Sequence, residues 1–335
     1  MALLTRSPYR CPGDDSVIHH ACAGLLTYWK RPVKEHVART SLGETYVLTT
    51  GPATAPPVVV LAGGDLPAAG LRLLAEQFGE QHRVVLVDVP GLPGASAGSR
   101  PDSRIHAVYG HWLVEVLDAL GVERVPVIGL GWSASVAAAV EDLDRIEKLV
   151  IAAPLGLVPR VRWHRALIPG LQWRNEPNLE NTERYLRALA GCDYRPDEQT
   201  LRWSCRVGAY CTSLTNLPRL DRAVLRRWRG HPVEVVVGVK DPLVQVDALN
   251  KLADDMGAHF VAIPDAGHLL AVEAPAALAA MSAAVSVSEN RVTVDRGGSG
   301  DAGLPPTGVV TSPASPPPVT SRRNPSNRVP DPGLR

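Results

Sequence analysis

The chain has 335 residues, of which 45% are hydrophobic and 21% charged, with a formal net charge of +1. That balance fits a globular protein and excludes a general polyanion binder, so no nucleic-acid partner is expected. No apolar run approaches the roughly 20 residues of a membrane span, and Met1 to Gly13, broken by Pro8, Pro12 and Gly13, lacks the apolar core of a signal peptide.

From Val17 to Trp29 the apolar residues fall on one face of an amphipathic helix that Pro32 stops. That face needs a partner surface, in cis or in a homodimer. Arg39 to Thr50 predicts two short strands around a Gly43-Glu44 turn. Val58 to Leu61 has no polar alternation, as a strand buried on both faces should not. It ends in Ala62-Gly63-Gly64-Asp65, where glycines allow backbone N–H groups to approach a ligand or simply make a tight turn. A helix over Leu71 to Phe78 and a strand over Val84 to Val89 follow. The next stretch, Pro90 to Ser96, is too rich in turn residues to be regular. Ile105, Val108, Trp112, Leu113, Val116, Leu117 and Leu120 form a helical stripe that Gly121 ends.

The apolar run Pro126 to Leu130 then stops at Gly131, and an Ala-rich run, Ser133 to Val140, starts at once. This predicts a buried strand feeding a helix through a minimal turn. Small residues at 131 and 135 flank Ser133 in a G-x-S-x-small pattern, which places Ser133 on the sharp turn of a nucleophile elbow. An ordinary serine N-cap reads the same way. Leu149 to Ile151 is a further buried strand. The alternation of strands and helices predicts a doubly wound α/β sheet, with ligands beyond the carboxyl ends of its strands.

Between Leu155 and Arg229 the composition changes to 14 Arg and no Lys against 7 acidic residues, with four of the seven Trp. Helices over Asn178 to Leu189 and Pro196 to Leu214, and no evident strand, predict an inserted helical cap. Its arginines could offer positive potential to an anionic substrate or stand solvated at the surface. The sheet pattern resumes at Val233 to Val239 before Lys240-Asp241-Pro242. It continues through a helix over Val246 to Met256 and a strand over His259 to Ile263 to Pro264-Asp265-Ala266-Gly267-His268. A closing helix spans Ala271 to Val285. Beyond Ser286 the chain is rich in Gly, Pro, Ser and Arg, a composition that predicts disorder. The expected organisation is an N-terminal helical extension (1–36), a core (37–154 and 230–285), a cap (155–229) and a tail (286–335).

Ser133, Asp241 and His268 therefore fall just past three predicted strand ends. A serine hydroxyl needs a base within hydrogen-bond reach, histidine titrates near neutral pH, and a carboxylate orients the imidazole. The chain order Ser, Asp, His is that of α/β-hydrolases. From about Arg39 to Val285 the chain resembles an α/β-hydrolase fold enzyme with a helical cap. The resemblance rests on the elbow, Leu61 to Gly64, Val87 to Ser96, Gly238 to Pro242, and Pro264 to His268 with Glu273-Ala274-Pro275 after it. The segment Tyr28 to Pro57 is similar to small bacterial carboxylesterases. The sequence departs from the family in Ala62, which stands where a histidine is usual, and in Ser135, which stands where glycine is.

The resemblance implies Ser133 as nucleophile, His268 as base, Asp241 as its orienting acid, and the N–H groups of Gly64 and Ala134 as the oxyanion hole. The implied protein is a serine hydrolase that cleaves a carboxylic ester through an acyl-enzyme, with a small-molecule ester or acyl substrate and neither cofactor nor metal. An acyltransferase or cyclase, a cofactor-free haloperoxidase, and a ligand-binding protein of weak activity share the same pattern. Five cysteines without paired metal-type spacing fit reduced thiols and a cytoplasmic location.

Overall fold

The computed structural model describes residues 4–159, 164–191, 193–212 and 218–282. The predicted tail lies outside the described residues, as do Cys192 and two short stretches of the cap region.

Eight strands make one mixed sheet: β1 (Val33–Thr40), β2 (Gly43–Thr50), β3 (Pro57–Leu61), β4 (Arg83–Val87), β5 (Val125–Leu130), β6 (Ile146–Ala152), β7 (Val233–Gly238) and β8 (His259–Ile263). Their order is β8-β7-β6-β5-β3-β4-β2-β1. The run from β8 to β4 is parallel, and β2 and β1 add an antiparallel edge. This is the α/β-hydrolase architecture expected from the sequence. The strand order reverses around β3 and β5, so their carboxyl ends open one crevice.

Side chains alternate across a strand, and the sheet divides its apolar residues accordingly. Val59, Leu61, Val85, Val87, Val127, Leu149, Ile151, Val235 and Val237 face one core with α3 (Ile105–Ala119), α4 (Ser133–Ala138) and α9 (Val246–Met256). Val58, Val60, Val84, Leu86, Ile128, Leu130, Val150, Ala152 and Val236 face the other. That second core includes α1 (Asp14–Leu26), α2 (Arg72–Gln77) and α11 (Pro275–Ser282). Runs without polar alternation are the consequence of burying both faces.

Between β6 and β7 come α5 (His164–Asn175), α6 (Leu179–Leu189), α7 (Glu198–Tyr210) and α8 (Arg222–Arg226), with no strand among the described residues. Asn178 caps α6 through Asn181 N, and Asp197 caps α7 through Thr200 N. The apolar face of α1 is buried at Ile18, Ala21, Cys22 and Leu25. It is covered in cis by α7 and by the turn at Ala68–Gly70.

Three expectations needed adjustment. β1 starts at Val33 rather than Arg39, because this edge strand is largely exposed and carries no apolar alternation to announce it. α5 was not foreseen, since Pro169 sits inside it. The closing helix is two pieces, α10 (Leu270–Glu273) and α11, interrupted at Ala274, whose φ of −139° leaves the helical region just before Pro275.

Candidate active site

Asp241 follows β7 and His268 follows β8, and the fold joins them as the sequence suggests. Asp241 Oδ2 lies 2.8 Å from His268 Nδ1, while Oδ1 accepts from Leu243 N at 2.8 Å. Both side chains are fully buried. The His268 loop is held from two sides. Its backbone N–H donates to Leu189 O of α6 at 2.8 Å. The Glu273 carboxylate accepts from Gly267 N and Leu269 N, each at 2.9 Å, and from Gly191 N at 2.5 Å. Glu273 thus clamps both neighbours of His268 and ties them to the cap, a role its sequence position did not reveal.

The strand-to-helix turn corrects the assignment of the nucleophile. β5 ends at Leu130, Gly131 takes a φ of +56°, and Trp132 is already helical in its backbone before α4 begins at Ser133. An elbow places its nucleophile on the strained turn residue, between small residues two before and two after. Here that residue is Gly131, flanked by Gly129 and Ser133. A Cβ on Gly129 would lie 2.5 Å from Ala134 Cα, so the helix crosses directly over it. Ser133 is completely buried, and its Oγ donates to Ala62 O at 2.6 Å. His268 Nε2 has no hydrogen-bond partner among the described residues. Ser133 and His268 are therefore not brought together.

The reason is the spacing. Small residues stand at 129, 131, 133 and 135, so the elbow pattern fits two registers, and only the one centred on 133 puts a serine at the turn. The strand boundary was the better signal, since the first residue past the apolar run is Gly131. The oxyanion assignment moves with it. Ala134 N donates to Gly131 O at 3.4 Å inside the turn. The residue after the turn is Trp132, whose N–H, like that of Gly64, donates to no protein acceptor among the described residues.

One residue that the sequence reading left without a role faces His268. Asp65, at the end of the Gly63-Gly64 loop, places Oδ2 3.7 Å from His268 Nε2. Protein surrounds Asp65, yet 39% of its side-chain surface stays accessible, and it lines a cavity together with Gly63, Leu130, Gly131, Ala152 and His268. The cavity holds about 30 Å³. Burial alone would lower the His268 pKa, but Asp241 first, then Asp65 and Glu273, outweigh it and push it up to about 9. Burial raises the Asp65 carboxyl, against the opposing pull of His268. Among the described residues no arginine lines this cavity. Several cap arginines instead bind protein groups: Arg165 reaches Ala190 O, Arg174 reaches Cys211 O, and Arg202 pairs with Glu198. Among the described residues no group of three or more His, Cys, Asp or Glu side chains is arranged to hold a metal ion.

The cap reaches the site through Trp203, which is 1% exposed and donates from Nε1 to Asp65 O at 2.9 Å. Trp203→Ala is expected to cost roughly 3–5 kcal/mol, the range for a buried tryptophan cut to alanine. The melting temperature should fall by about 10 °C, measurable by thermal unfolding. A fall of only 1–2 °C, a shift of about half a kcal/mol, would mean that the cap does not brace this loop.

Residues 27–281 match the Alpha/beta hydrolase family, and the chain belongs to it. Carboxylesterase YbfK of Bacillus subtilis (strain 168) is 23% identical over 269 residues, 75% of this chain and 86% of that protein. The uncharacterized carboxylesterase nap of the same organism is 31% identical over 110 residues, 31% of this chain and 35% of its own length. The putative carbamate hydrolase RutD of Caulobacter sp. (strain K31) is 37% identical over 108 residues, 30% of this chain. The chain spans only 35% and 38% of the last two. Among solved structures, a putative hydrolase from Bacillus subtilis superposes with a TM-score of 0.69 at 19% identity, covering 81% of this chain and 98% of that one. The crystal structure of carboxylesterase CesB (YbfK) gives 0.66 at 20% identity, covering 80% and 96%. At these identities the structural likeness is one of fold.

Proposed function

We propose that the protein hydrolyses a carboxylic ester by direct attack of water, with His268 as general base and Asp241 orienting it, and without an acyl-enzyme. The observation that carries this reading is the buried Asp241–His268 pair, whose unpaired Nε2 borders a cavity across from a turn residue that has no side chain. A base with no hydroxyl to activate can act on water itself. The N–H groups of Gly64 and Trp132 are the donors available for the oxyanion. Carboxylesterase relatives support the ester class. Acyl transfer through a seryl intermediate lacks its nucleophile in this geometry, because Ser133 Oγ is buried against Ala62 O.

The reaction needs neutral His268, and the histidine releases its proton only near pH 9. Turnover of p-nitrophenyl acetate should therefore rise from neutral pH and level off above about pH 9. It should show no burst of p-nitrophenol, and intact-protein mass spectrometry should find no acyl adduct. A burst with a stable adduct on a serine would restore the acyl-enzyme reading. The absence of turnover at every pH would favour a ligand-binding protein built on this fold.

A further inference from the structure

We propose that Asp65 is a second catalytic residue, one that holds the attacking water jointly with His268. This rests on the hydrolase reading above and names the group that reading lacks.

Four observations converge. The Asp65 Oδ2 to His268 Nε2 distance of 3.7 Å is too long for a direct hydrogen bond and short enough for one bridging water. Both residues line the same cavity, whose volume of about 30 Å³ exceeds the roughly 10–15 Å³ that a water molecule requires. Among the described residues the Asp65 carboxylate pairs with His268, and 39% of its side chain stays open to water. Finally, a Cβ built on Gly131 would lie 3.9 Å from Asp65 Oδ2, the only atom within 4 Å among the described residues outside its own turn. The carboxylate thus stands beside the volume that a nucleophilic side chain on the elbow would fill.

A water there donates one hydrogen to Nε2 and the other to Oδ2, which leaves a lone pair for the substrate carbonyl. As its oxygen bonds to the carbonyl carbon, the first proton passes to Nε2 and the carbonyl becomes the oxyanion. Collapse breaks the bond to the alkoxide, which takes that proton back from Nε2. The products are an alcohol and a carboxylic acid, and the acid loses its own proton to solvent. Asp65 fixes the second hydrogen throughout. The backbone of Asp65 is in turn held by Trp203 Nε1.

The test compares wild type, Asp65→Asn and Asp65→Ala, using p-nitrophenyl acetate from pH 6 to 10 and ¹⁵N NMR titration of His268. The charged groups that set the His268 titration are Asp241, Asp65 and Glu273, and only Asp65 is changed. Asp65→Ala should lower the plateau kcat by ~100-fold, the low end of a positioned acid–base contribution, with KM within about twofold. Asp65→Asn keeps an acceptor oxygen and should lose at most ~10-fold. In both, the His268 midpoint should move below the wild-type value, by rate and by NMR alike. The midpoint shift follows from the lost charge alone, so the readout that a purely structural Asp65 would not move is the plateau kcat at unchanged KM. Wild-type turnover with an unchanged Asp65→Ala plateau would overturn the inference alone. No wild-type turnover at any pH would overturn the hydrolase reading and the inference with it.

Discussion

Gly131→Ser is expected to give a protein that a fluorophosphonate probe labels once, at residue 131, where the wild type takes no label. The backbone is already set for it, since Gly131 holds a φ of +56° at the turn between β5 and α4. A non-glycine residue held there costs on the order of 1–3 kcal/mol, a strain the crossing of strand and helix can sustain. There is also room, because the nearest atom to the added Cβ is Asp65 Oδ2 at 3.9 Å. The new hydroxyl would enter the cavity that His268 lines, and the existing Asp241–His268 pair would activate it. Labelling should speed up with pH as His268 loses its proton near pH 9. Gly131→Ala carries the same strain without the hydroxyl and should stay unlabelled. A folded Gly131→Ser protein that never reacts would mean that His268 does not reach the elbow residue.

The fold was largely legible because strands buried on both faces must be continuous apolar runs. Val58 to Leu61, Val84 to Val87 and Val235 to Val237 declare themselves this way. Chain order then led to the α/β-hydrolase architecture. Asp241 and His268 were legible for a related reason. Each stands a few residues past a predicted strand, and the topology brings neighbouring strand ends together.

What was not legible depended on distances that no spacing encodes. The elbow register rested on two residues of strand length, because small residues alternate from Gly129 to Ser135 and a shift by two preserves the pattern. Only the observed end of β5 and the positive φ of Gly131 decide it. Asp65 looked like the last residue of a tight turn, and its approach to His268 depends on how the loops after β3 and β8 meet. Glu273 belonged to a quoted motif, yet its three backbone donors come from Gly191, Gly267 and Leu269, the first of them 82 residues away.

Replacing His268 should have the largest effect on activity. His268→Ala removes the proposed general base and should reduce kcat by ~10³-fold or more, within the range for acid–base groups. Ser133→Ala removes a buried hydroxyl whose bond goes to Ala62 O. That costs about 1 kcal/mol of stability and leaves the cavity intact. The most direct measurement is therefore kcat for wild type, Ser133→Ala and His268→Ala side by side on one p-nitrophenyl ester above pH 9. The structure predicts turnover in Ser133→Ala within about threefold of wild type, a change of under 1 kcal/mol, and near-complete loss in His268→Ala. A folded Ser133→Ala protein as inactive as His268→Ala would contradict Gly131 as the elbow residue and return the nucleophile to Ser133.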